Sequence, residues 1–323
     1  MAQTLLGDGA WVETLRARID AWLRSGRLPQ EPHPLLRLQA GTEVCESLMR
    51  SGNVQHRPRK ILINFAALKF FDAQQRNAAT ALTVAGFDRI ICCGRSDIDR
   101  EFRARNQSIL RARVGAGYWL WKPYFMKRGL GLLDAGDFLF YCDSGCQFID
   151  RIDPLIEAAT RSQQPIVPFE LNHPERRYTK RDTLILMGCD APRFTETRQR
   201  LGSFILLRKT AFAETFVDEF LRLAQDPRLI TNAPSALASE HPDFVAHRND
   251  QSIFSLLTKR HGLEAYRDPS QFGNELGEDY PASTYGQLID LTRSRMRRPG
   301  GIVLSWWKRL RAWRGRDAPD SIA

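Results

Sequence analysis

The chain has 323 residues, of which 43% are hydrophobic, so it can bury a sizeable α/β core and is not disordered by composition. Its formal net charge is +10, but the segment from Arg293 to Arg316 holds eight arginines, one lysine and no acid. The rest of the chain is therefore nearly neutral, which argues against a nucleic-acid-binding body.

Cysteine usage and the absence of long apolar stretches indicate the cellular compartment in which the protein is expected to reside. Cys142 and Cys146 form a C-x3-C pair, but no second pair or histidine stands nearby at zinc spacing. This usage favours buried thiols in a reducing compartment. The first residues lack the apolar core of a secretory signal, and no stretch reaches the roughly 20 apolar residues of a spanning helix. We therefore expect a cytoplasmic protein.

The predicted elements begin with a helical and loop-rich lead-in. Trp11, Leu15 and Ile19 recur at helical spacing and predict an amphipathic helix. The α/β pattern begins at Lys60, where KILINFA is an apolar, β-branched run typical of a buried strand. Next come a helix at 70–86, a strand at 88–94, helices at 98–114 and 121–133, and a strand that starts at 138.

The alternation continues to the end of the domain. It gives a helix at 154–161, strands at 165–170 and 202–207, and helices at 210–225 and 250–262. Strands alternating with helices predict an α/β fold with a mostly parallel sheet flanked by helices. The expected organisation is a lead-in at 1–57, one domain at 58–290 and a basic tail at 291–323.

The first candidate motif is YCDSG, where a predicted strand ends at Asp143 and Ser144. Ligands in parallel sheets bind beyond the carboxyl ends of strands, so Asp143 is placed to meet one. A carboxylate there can hold a hard divalent cation, which neutralises a diphosphate leaving group. The structural alternative is an Asx-turn or N-cap.

The second motif is GAGYWLWKPYF, in which two glycines precede an aromatic cluster. Glycine lets the backbone approach a ligand closely. Tyr118, Trp119 and Trp121 offer stacking faces, and Lys122 offers a point charge for phosphate. Pro123 can open a helix whose first amides favour an anion. The alternative is that the tryptophans pack in the core and the lysine is solvated.

Two further motifs lie in the second half. In HRNDQS, His247 or Asp250 can complete a metal shell or act as a general base, whereas Asn249 or Asp250 can instead cap the following helix. In ERRYTKRD, the predicted loop can cover a site and bring Lys180 to phosphate, or it can be a solvated charged loop.

The C-terminal stretch GGIVLSWWKRLRAWRGR predicts an amphipathic helix. Trp306, Leu310 and Trp313 fall on one face, and most of the arginines lie elsewhere. A basic, tryptophan-rich helix of this kind suits an anionic membrane surface. The alternatives are a helix docked on the body and, less well supported, a nucleic-acid-binding tail.

Taken together, these motifs resemble a bacterial glycosyltransferase family of the GT-A, nucleotide-diphospho-sugar transferase type. The matching stretches are GAGYWLWKP (115–123), GDFLFYCDSG (136–145) and HRNDQSIFSLL (247–257). The joint pattern is more specific than any one motif, and the resemblance spans 60–274. The sequence departs from the usual Asp-x-Asp metal motif of this fold, because Gly145 occupies the second position.

The resemblance implies a GT-A-like enzyme that uses a nucleotide sugar, most often a UDP-sugar, usually with Mn²⁺ or Mg²⁺. It also implies a role in cell-surface polysaccharide assembly, with a glycan or lipid-linked acceptor. The basic tail leads us to expect the enzyme on the inner face of the plasma membrane, and the nearly neutral body leads us to expect no nucleic-acid partner. Asp143 and Asp250 are the expected catalytic residues, and Asp143 and His247 the expected metal ligands. The expected donor-binding residues are Asn64, Phe65, Ala66, Tyr118, Trp119, Trp121, Lys122, Ser144 and Lys180.

Two rival functions remain at this stage. A membrane-associated binding protein that keeps the fold without its chemistry agrees with Gly145 in place of a second aspartate. A kinase of the P-loop type would need a G-x-x-x-x-G-K-[ST] stretch, which the sequence lacks. Nothing in the sequence separates inverting from retaining transfer.

Overall fold

The computed structural model describes residues 57–67, 70–275, 280 and 282–291. The predicted N-terminal helix and the predicted basic tail helix lie outside these residues.

A central sheet of five strands organises the domain in the order β2-β1-β3-β8-β5. β1 pairs in parallel with β2 and β3, whereas β8 runs antiparallel to both β3 and β5. Four of the five strands therefore point the same way, which confirms the expected mostly parallel α/β sheet. The strands are β1 (Lys60–Ala66), β2 (Arg89–Gly94), β3 (Phe138–Cys142), β5 (Ile166–Val167) and β8 (Phe204–Arg208).

Burial on both faces explains why the central strands consist mainly of apolar residues. All seven residues of β1 are buried, as are all five of β3. Successive side chains alternate between the two faces. Leu139 and Tyr141 enter the larger core on one face, whereas Phe138, Phe140 and Cys142 enter the core on the other.

Helices cover both faces of the sheet. Apolar residues of the helices that follow β2 and β8 line the larger core, and those of the helices that follow β1 and the short strand β4 (Cys146–Phe148) line the smaller one. The helices are α1 (Phe71–Thr80), α2 (Arg100–Arg105), α3 (Gln107–Leu110), α4 (Trp121–Leu130), α5 (Asp153–Ser162), α6 (Glu175–Tyr178), α7 (Arg181–Leu186), α8 (Pro192–Thr195), α9 (Ala211–Ala224), α10 (Pro227–Ile230) and α11 (Asn249–Arg260).

Two small sheets border the central one. One has the strand order β7-β6-β9 and the other pairs β10 with β4. Their strands are β4 (Cys146–Phe148), β6 (Phe169–Pro174), β7 (Arg198–Arg200), β9 (Tyr266–Arg267) and β10 (Ile289–Leu291). The single strand expected at 165–170 was wrong, because β5 and β6 belong to different sheets.

The helix expected over 98–114 is broken at Asn106. Its backbone leaves the helical region at φ −108° and ψ 24°, and its side-chain amide donates to the Phe102 carbonyl and to Gln225. Side chains of this type compete with the backbone for helical hydrogen bonds. Only α2 and α3 form here, and a different turn follows at Gly115.

The expectation of a long charged loop at ERRYTKRD was also wrong. The segment forms α6 and begins α7, and Glu175, Lys180 and Asp182 are buried. Asp182 accepts hydrogen bonds from the backbone amides of Ala236 and Leu237. These charges hold the fold together and do not lie free in solvent. Among the described helices, none is both long and apolar enough to cross a membrane.

Candidate functional site

The candidate site lies at the carboxyl edge of the central sheet. Ala66 pairs with Gly94 at the carboxyl ends of β1 and β2. Ile63 of β1 pairs with Tyr141 of β3, and Asp143 follows Tyr141 by two residues. Segments that follow these three strands therefore meet at one edge. Open parallel sheets bind ligands there.

A left-handed turn stands beside this edge, at the short helical segment Gly115–Tyr118. Five consecutive residues, from Gly115 to Trp119, have positive φ, and the backbone amides of Tyr118 and Trp119 donate to the carbonyls four residues earlier. Left-handed helix is unfavourable for L-residues, by roughly 1–2 kcal/mol each. A Cβ on Gly117 would lie 2.9 Å from the Cα of Leu110, so this glycine cannot be replaced without rearrangement. Strain of this kind is characteristic of functional sites.

Trp121 fastens the turn to the sheet. Its indole Nε1 donates to the Gly115 carbonyl at 2.8 Å, and its ring stacks on Phe65 with a centroid distance of 3.8 Å and an interplanar angle of 15°. Both side chains are buried. The structure thus gives Trp121 and Phe65 a packing role, because each covers the other's ring face. Tyr118 and Trp119 are only half-buried and are available as stacking faces.

Lys122 places a buried positive charge at the edge. Its Nζ lies 2.5 Å from Asp250 Oδ2, donates to the Gly202 carbonyl at 2.8 Å and sits 4.9 Å from the centroid of the Tyr141 ring. The alternative of a solvated lysine was therefore wrong. The motifs GAGYWLWKP and HRNDQS, distant in sequence, meet through this ion pair.

Asp250 is the most perturbed carboxylate of the edge. Burial raises the pKa of Asp250 to about 6, Lys122 opposes that shift, and the negative charge of Asp143 adds to it. The alternative of a helix cap at Asn249 or Asp250 was wrong, because α11 begins at Asn249 and its preceding residue, Arg248, makes no side-chain cap. A carboxylate with a pKa near neutrality is suited to proton transfer.

Asp143 and Tyr141 complete the cluster. The Tyr141 hydroxyl donates to Asp143 Oδ1 at 2.5 Å, and burial together with the charge of Asp143 holds the pKa of Tyr141 well above its ordinary value. The phenol is thus a fixed donor that orients the half-buried carboxylate. We name the set Lys122, Tyr141, Asp143 and Asp250 the edge cluster.

Sequence reasoning missed Tyr141. The signal for it was available, because Tyr141 precedes Asp143 by two positions and a strand places such residues on one face. The carbonyl of Gly202, which holds Lys122, carries no sequence signal.

Three predicted donor-binding residues at the edge are engaged inside the protein. The Asn64 side chain is fully buried, donating to Asn77 at 2.8 Å and accepting from Gln74 at 2.9 Å. The Ser144 hydroxyl donates to the Phe65 carbonyl. Ala66 is buried at the end of β1 and offers only backbone. These contacts shape the edge, and the Asn64 side chain is not free to contact a ligand.

Lys180 and His247 have structural partners as well. Lys180 Nζ donates to the carbonyls of Thr231 and Ala233, which hold its ammonium inside the fold, and its phosphate contact stays a prediction. His247 Nε2 lies 2.7 Å from the Leu229 carbonyl, while Nδ1 accepts from the Lys180 amide at 3.4 Å. Burial lowers the pKa of His247 to about 3. Both ring nitrogens are occupied, so neither is left for a metal ion in this arrangement.

The metal expectation consequently rests on Asp143. Within the described part of the chain, no group of three or more His, Cys, Asp and Glu side chains is arranged to hold a metal ion. Asp143 fits on its chemistry, since it is a half-buried carboxylate with one oxygen oriented by Tyr141. Mg²⁺ sites commonly use one or two carboxylates together with waters and substrate phosphates.

Comparison with known proteins gives only distant structural likenesses. No family model and no curated protein matches the sequence. The apo form of mouse xyloside xylosyltransferase 1 has a TM-score of 0.42 and 10% identity, over 75% of this chain and 99% of that one. The galactosyltransferase LgtC, in complex with donor and acceptor sugar analogs, has a TM-score of 0.39 and 10% identity, over 72% and 86%. GlyE of Streptococcus pneumoniae TIGR4 has a TM-score of 0.34 and 14% identity, over 80% and 64%. Likenesses at this level assign no activity to this chain.

Proposed function

We propose that this protein is a glycosyltransferase that moves a sugar from a nucleoside-diphosphate sugar, most often a UDP-sugar, to a glycan or lipid-linked acceptor. The observation that carries the proposal is the edge cluster, where Lys122, Asp143 and Asp250 converge at the carboxyl end of β3. The motifs that supply these residues are those that resemble GT-A enzymes. Fold class alone does not define a reaction, so the proposal rests on these side chains.

The edge cluster suits the two charge problems of the reaction. The diphosphate leaving group gains negative charge in the transition state, and the fixed cation of Lys122 is placed to stabilise it. The acceptor hydroxyl must lose a proton, and Asp250 is ionised above pH 6 yet still basic enough to accept one. We assign Asp250 as the base of an inverting transfer.

A divalent cation, Mn²⁺ or Mg²⁺, would be held by Asp143 in this proposal. Its chemistry would be to neutralise the diphosphate oxygens, and its remaining ligands would come from the diphosphate and water. Tyr141 would keep the Asp143 carboxylate oriented. Asp250 is already paired with Lys122, so the proposal does not count it among the metal ligands.

The place of the enzyme in the cell is part of the same proposal. A basic, tryptophan-rich tail at 291–323 would hold it at an anionic inner membrane face, where lipid-linked acceptors of surface polysaccharides are available. Removing the residues after Arg293 should abolish sedimentation with anionic liposomes and leave donor binding intact. Equal sedimentation of both forms would contradict this role.

The decisive experiment measures donor binding and donor hydrolysis by the purified full-length chain. UDP-sugars are titrated by calorimetry with and without Mn²⁺, and release of UDP is followed separately. We expect binding that Mn²⁺ strengthens, and slow hydrolysis in the absence of an acceptor. Absence of any interaction with the nucleotide sugars tested would overturn the proposal.

The rival, a binding protein without chemistry, is favoured by Gly145 in place of a second aspartate. Asp143→Ala separates the two functions, with Asp150→Ala as a matched control at an exposed aspartate. An enzyme should lose hydrolysis only in Asp143→Ala. A binding protein should show no hydrolysis in any form, and its biological activity should survive Asp143→Ala.

A further inference from the structure

We propose that an arginine-lined cavity beside the left-handed turn is a separate binding site for a phosphate group. The cavity has a volume of about 240 Å³ and follows the end of β2. Its lining comes from the segment between β2 and the left-handed turn: Arg95, Ser96, Ile98, Arg103, Gln107, Leu110 and Arg111. The inference does not depend on the proposed glycosyltransferase activity.

The guanidinium groups of Arg95 and Arg103 are held in place by backbone carbonyls. Arg95 donates to the Leu110 carbonyl at 2.5 Å, and Arg103 donates to the carbonyls of Arg95 and Ile98 at 2.8 and 2.9 Å. These bonds fix the groups without neutralising them. Arg111 is exposed and adds a third cation at the rim.

Acids near the cavity are engaged elsewhere. Asp97 accepts from the Gly94 amide at 2.7 Å, and Asp99 accepts from the Phe102 amide and the Tyr124 hydroxyl. The cavity lining contains no carboxylate. Across the described ranges, no salt bridge joins Arg95, Arg103 or Arg111 to an acid. No carboxylate of the lining itself therefore opposes the positive charge that the three arginines present to a ligand.

The donor set favours phosphate over a simple carboxylate. Arginine forks pair bidentately with phosphate oxygens, and three of them match a group that carries up to two charges and several acceptor oxygens. Ser96 and Gln107 add neutral donors to the same lining. Ile98 and Leu110 form an apolar wall, which leaves room for the body to which the phosphate is attached.

The cavity is distinct from the edge cluster but shares a wall with the turn. None of Lys122, Asp143 and Asp250 lines it. Leu110, which does, packs against Gly117 closely enough that a Cβ there would lie 2.9 Å from its Cα. A phosphate bound in the cavity is therefore a different group from one held by Lys122. It can belong to a soluble phosphate compound or to a lipid headgroup.

The test compares Arg111→Gln with Arg113→Gln in the full-length chain. Both arginines are exposed and lie two positions apart, but only Arg111 lines the cavity. Inorganic pyrophosphate is titrated by calorimetry, and sedimentation is measured with phosphatidylcholine vesicles with and without phosphatidic acid. Since a charge-assisted hydrogen bond is lost, Arg111→Gln should bind the phosphate-bearing probe about tenfold more weakly. Arg113→Gln should match the wild type, and Arg111→Lys should retain part of the binding.

The two probes identify the source of the phosphate. A loss confined to pyrophosphate supports a soluble phosphate ligand, and a loss confined to vesicles with phosphatidic acid supports a headgroup. A loss with both probes supports a site that accepts either source. Equal binding by wild type, Arg111→Gln and Arg113→Gln with both probes overturns the proposal, as does a wild type that binds neither.

Discussion

Helix α11 carries a buried lysine–carboxylate pair at each end, and the two pairs differ in what surrounds them. At its start, Asp250 lies 2.5 Å from Lys122; near its end, Lys259 lies 2.7 Å from Glu175. The four side chains are at most 6% exposed to solvent. Burial alone therefore does not distinguish a functional pair from a structural one.

The surroundings of Glu175 satisfy both oxygens of its carboxylate with hydrogen-bond donors. Glu175 Oε1 accepts from the Thr179 hydroxyl at 2.5 Å and from Gln199 at 3.0 Å, and Oε2 accepts from Lys259 and the Ser255 hydroxyl. Every partner is a donor, and together the four bonds hold the carboxylate in one position. Fully satisfied networks of this kind rigidify a core.

The surroundings of Asp250 stabilise its charged form only in part. A second carboxylate, Asp143, acts on Asp250 with a like charge, and the pair lies beside a strained left-handed turn. Lys122 relieves only part of the cost of burial, since the pKa of Asp250 still rises to about 6. Pairs arranged to disfavour one charge state are typical of active sites. The comparison thus assigns chemistry to the start of α11 and stability to its end.

The largest effect is expected at Asp250. Asp250→Asn removes the proposed base, so turnover of donor and acceptor should fall about 100- to 10,000-fold while UDP binding persists. In the wild type, the rate should rise with pH until the carboxylate is ionised and level off above pH 6. The measurement is a pH profile of kcat/KM between pH 4.5 and about 8.

Asp268→Asn is the matched control for that profile. Burial also raises the pKa of Asp268, but its carboxylate accepts from the Ser270 amide and is not one of the edge-cluster groups. Asp268→Asn should keep the wild-type rate, and its pH profile of kcat/KM should still rise up to about pH 6. A wild-type limb that persists in Asp250→Asn would contradict the assignment of the base.

Glu175 should govern stability instead. Glu175→Gln leaves the Lys259 ammonium buried without its anion, which costs about 3–5 kcal/mol when such a pair is broken. Urea denaturation measures the loss, and turnover per folded molecule should stay close to that of the wild type. The double variant Glu175→Gln/Lys259→Met should recover part of the stability, because the unpaired charge is gone. Lost turnover at full stability would reverse the comparison.

Sequence alone predicted the central strands because fully buried strands are mainly apolar, as in β1 and β3. It also predicted that Asp143 follows a strand at the binding edge. The partner of Lys122 could not be predicted, because Asp250 is distant in sequence. An aspartate just before a predicted helix is also typical of a helix cap, which needs no ligand. The positive φ values of Ala116, Tyr118 and Trp119 are set by tertiary contacts and not by residue type.

The smallest effect is expected at His247, where a substitution should change the pH dependence of stability. It tests whether a residue close to Asp250 in sequence belongs to the reactive pair or to the structural core. It lies three residues before Asp250, but the pKa of His247 is lowered to about 3, so the folded state binds its proton less readily than the unfolded chain, with pKa 6.5. The stability that it contributes is present above pH 6.5 and is lost as pH falls. At pH 5 the loss should be about 2 kcal/mol relative to pH 7.

His247→Gln should flatten this dependence, measured as the free energy of unfolding in urea at pH 7 and pH 5. His261→Gln, near the end of α11, serves as the control and should keep the wild-type slope. If His247→Gln keeps that slope too, its imidazole is not the buried neutral ring described above. A flattened slope with unchanged Mn²⁺-dependent donor binding would show that His247 affects stability only. The proposed chemistry would then belong to Asp250 and the rest of the edge cluster.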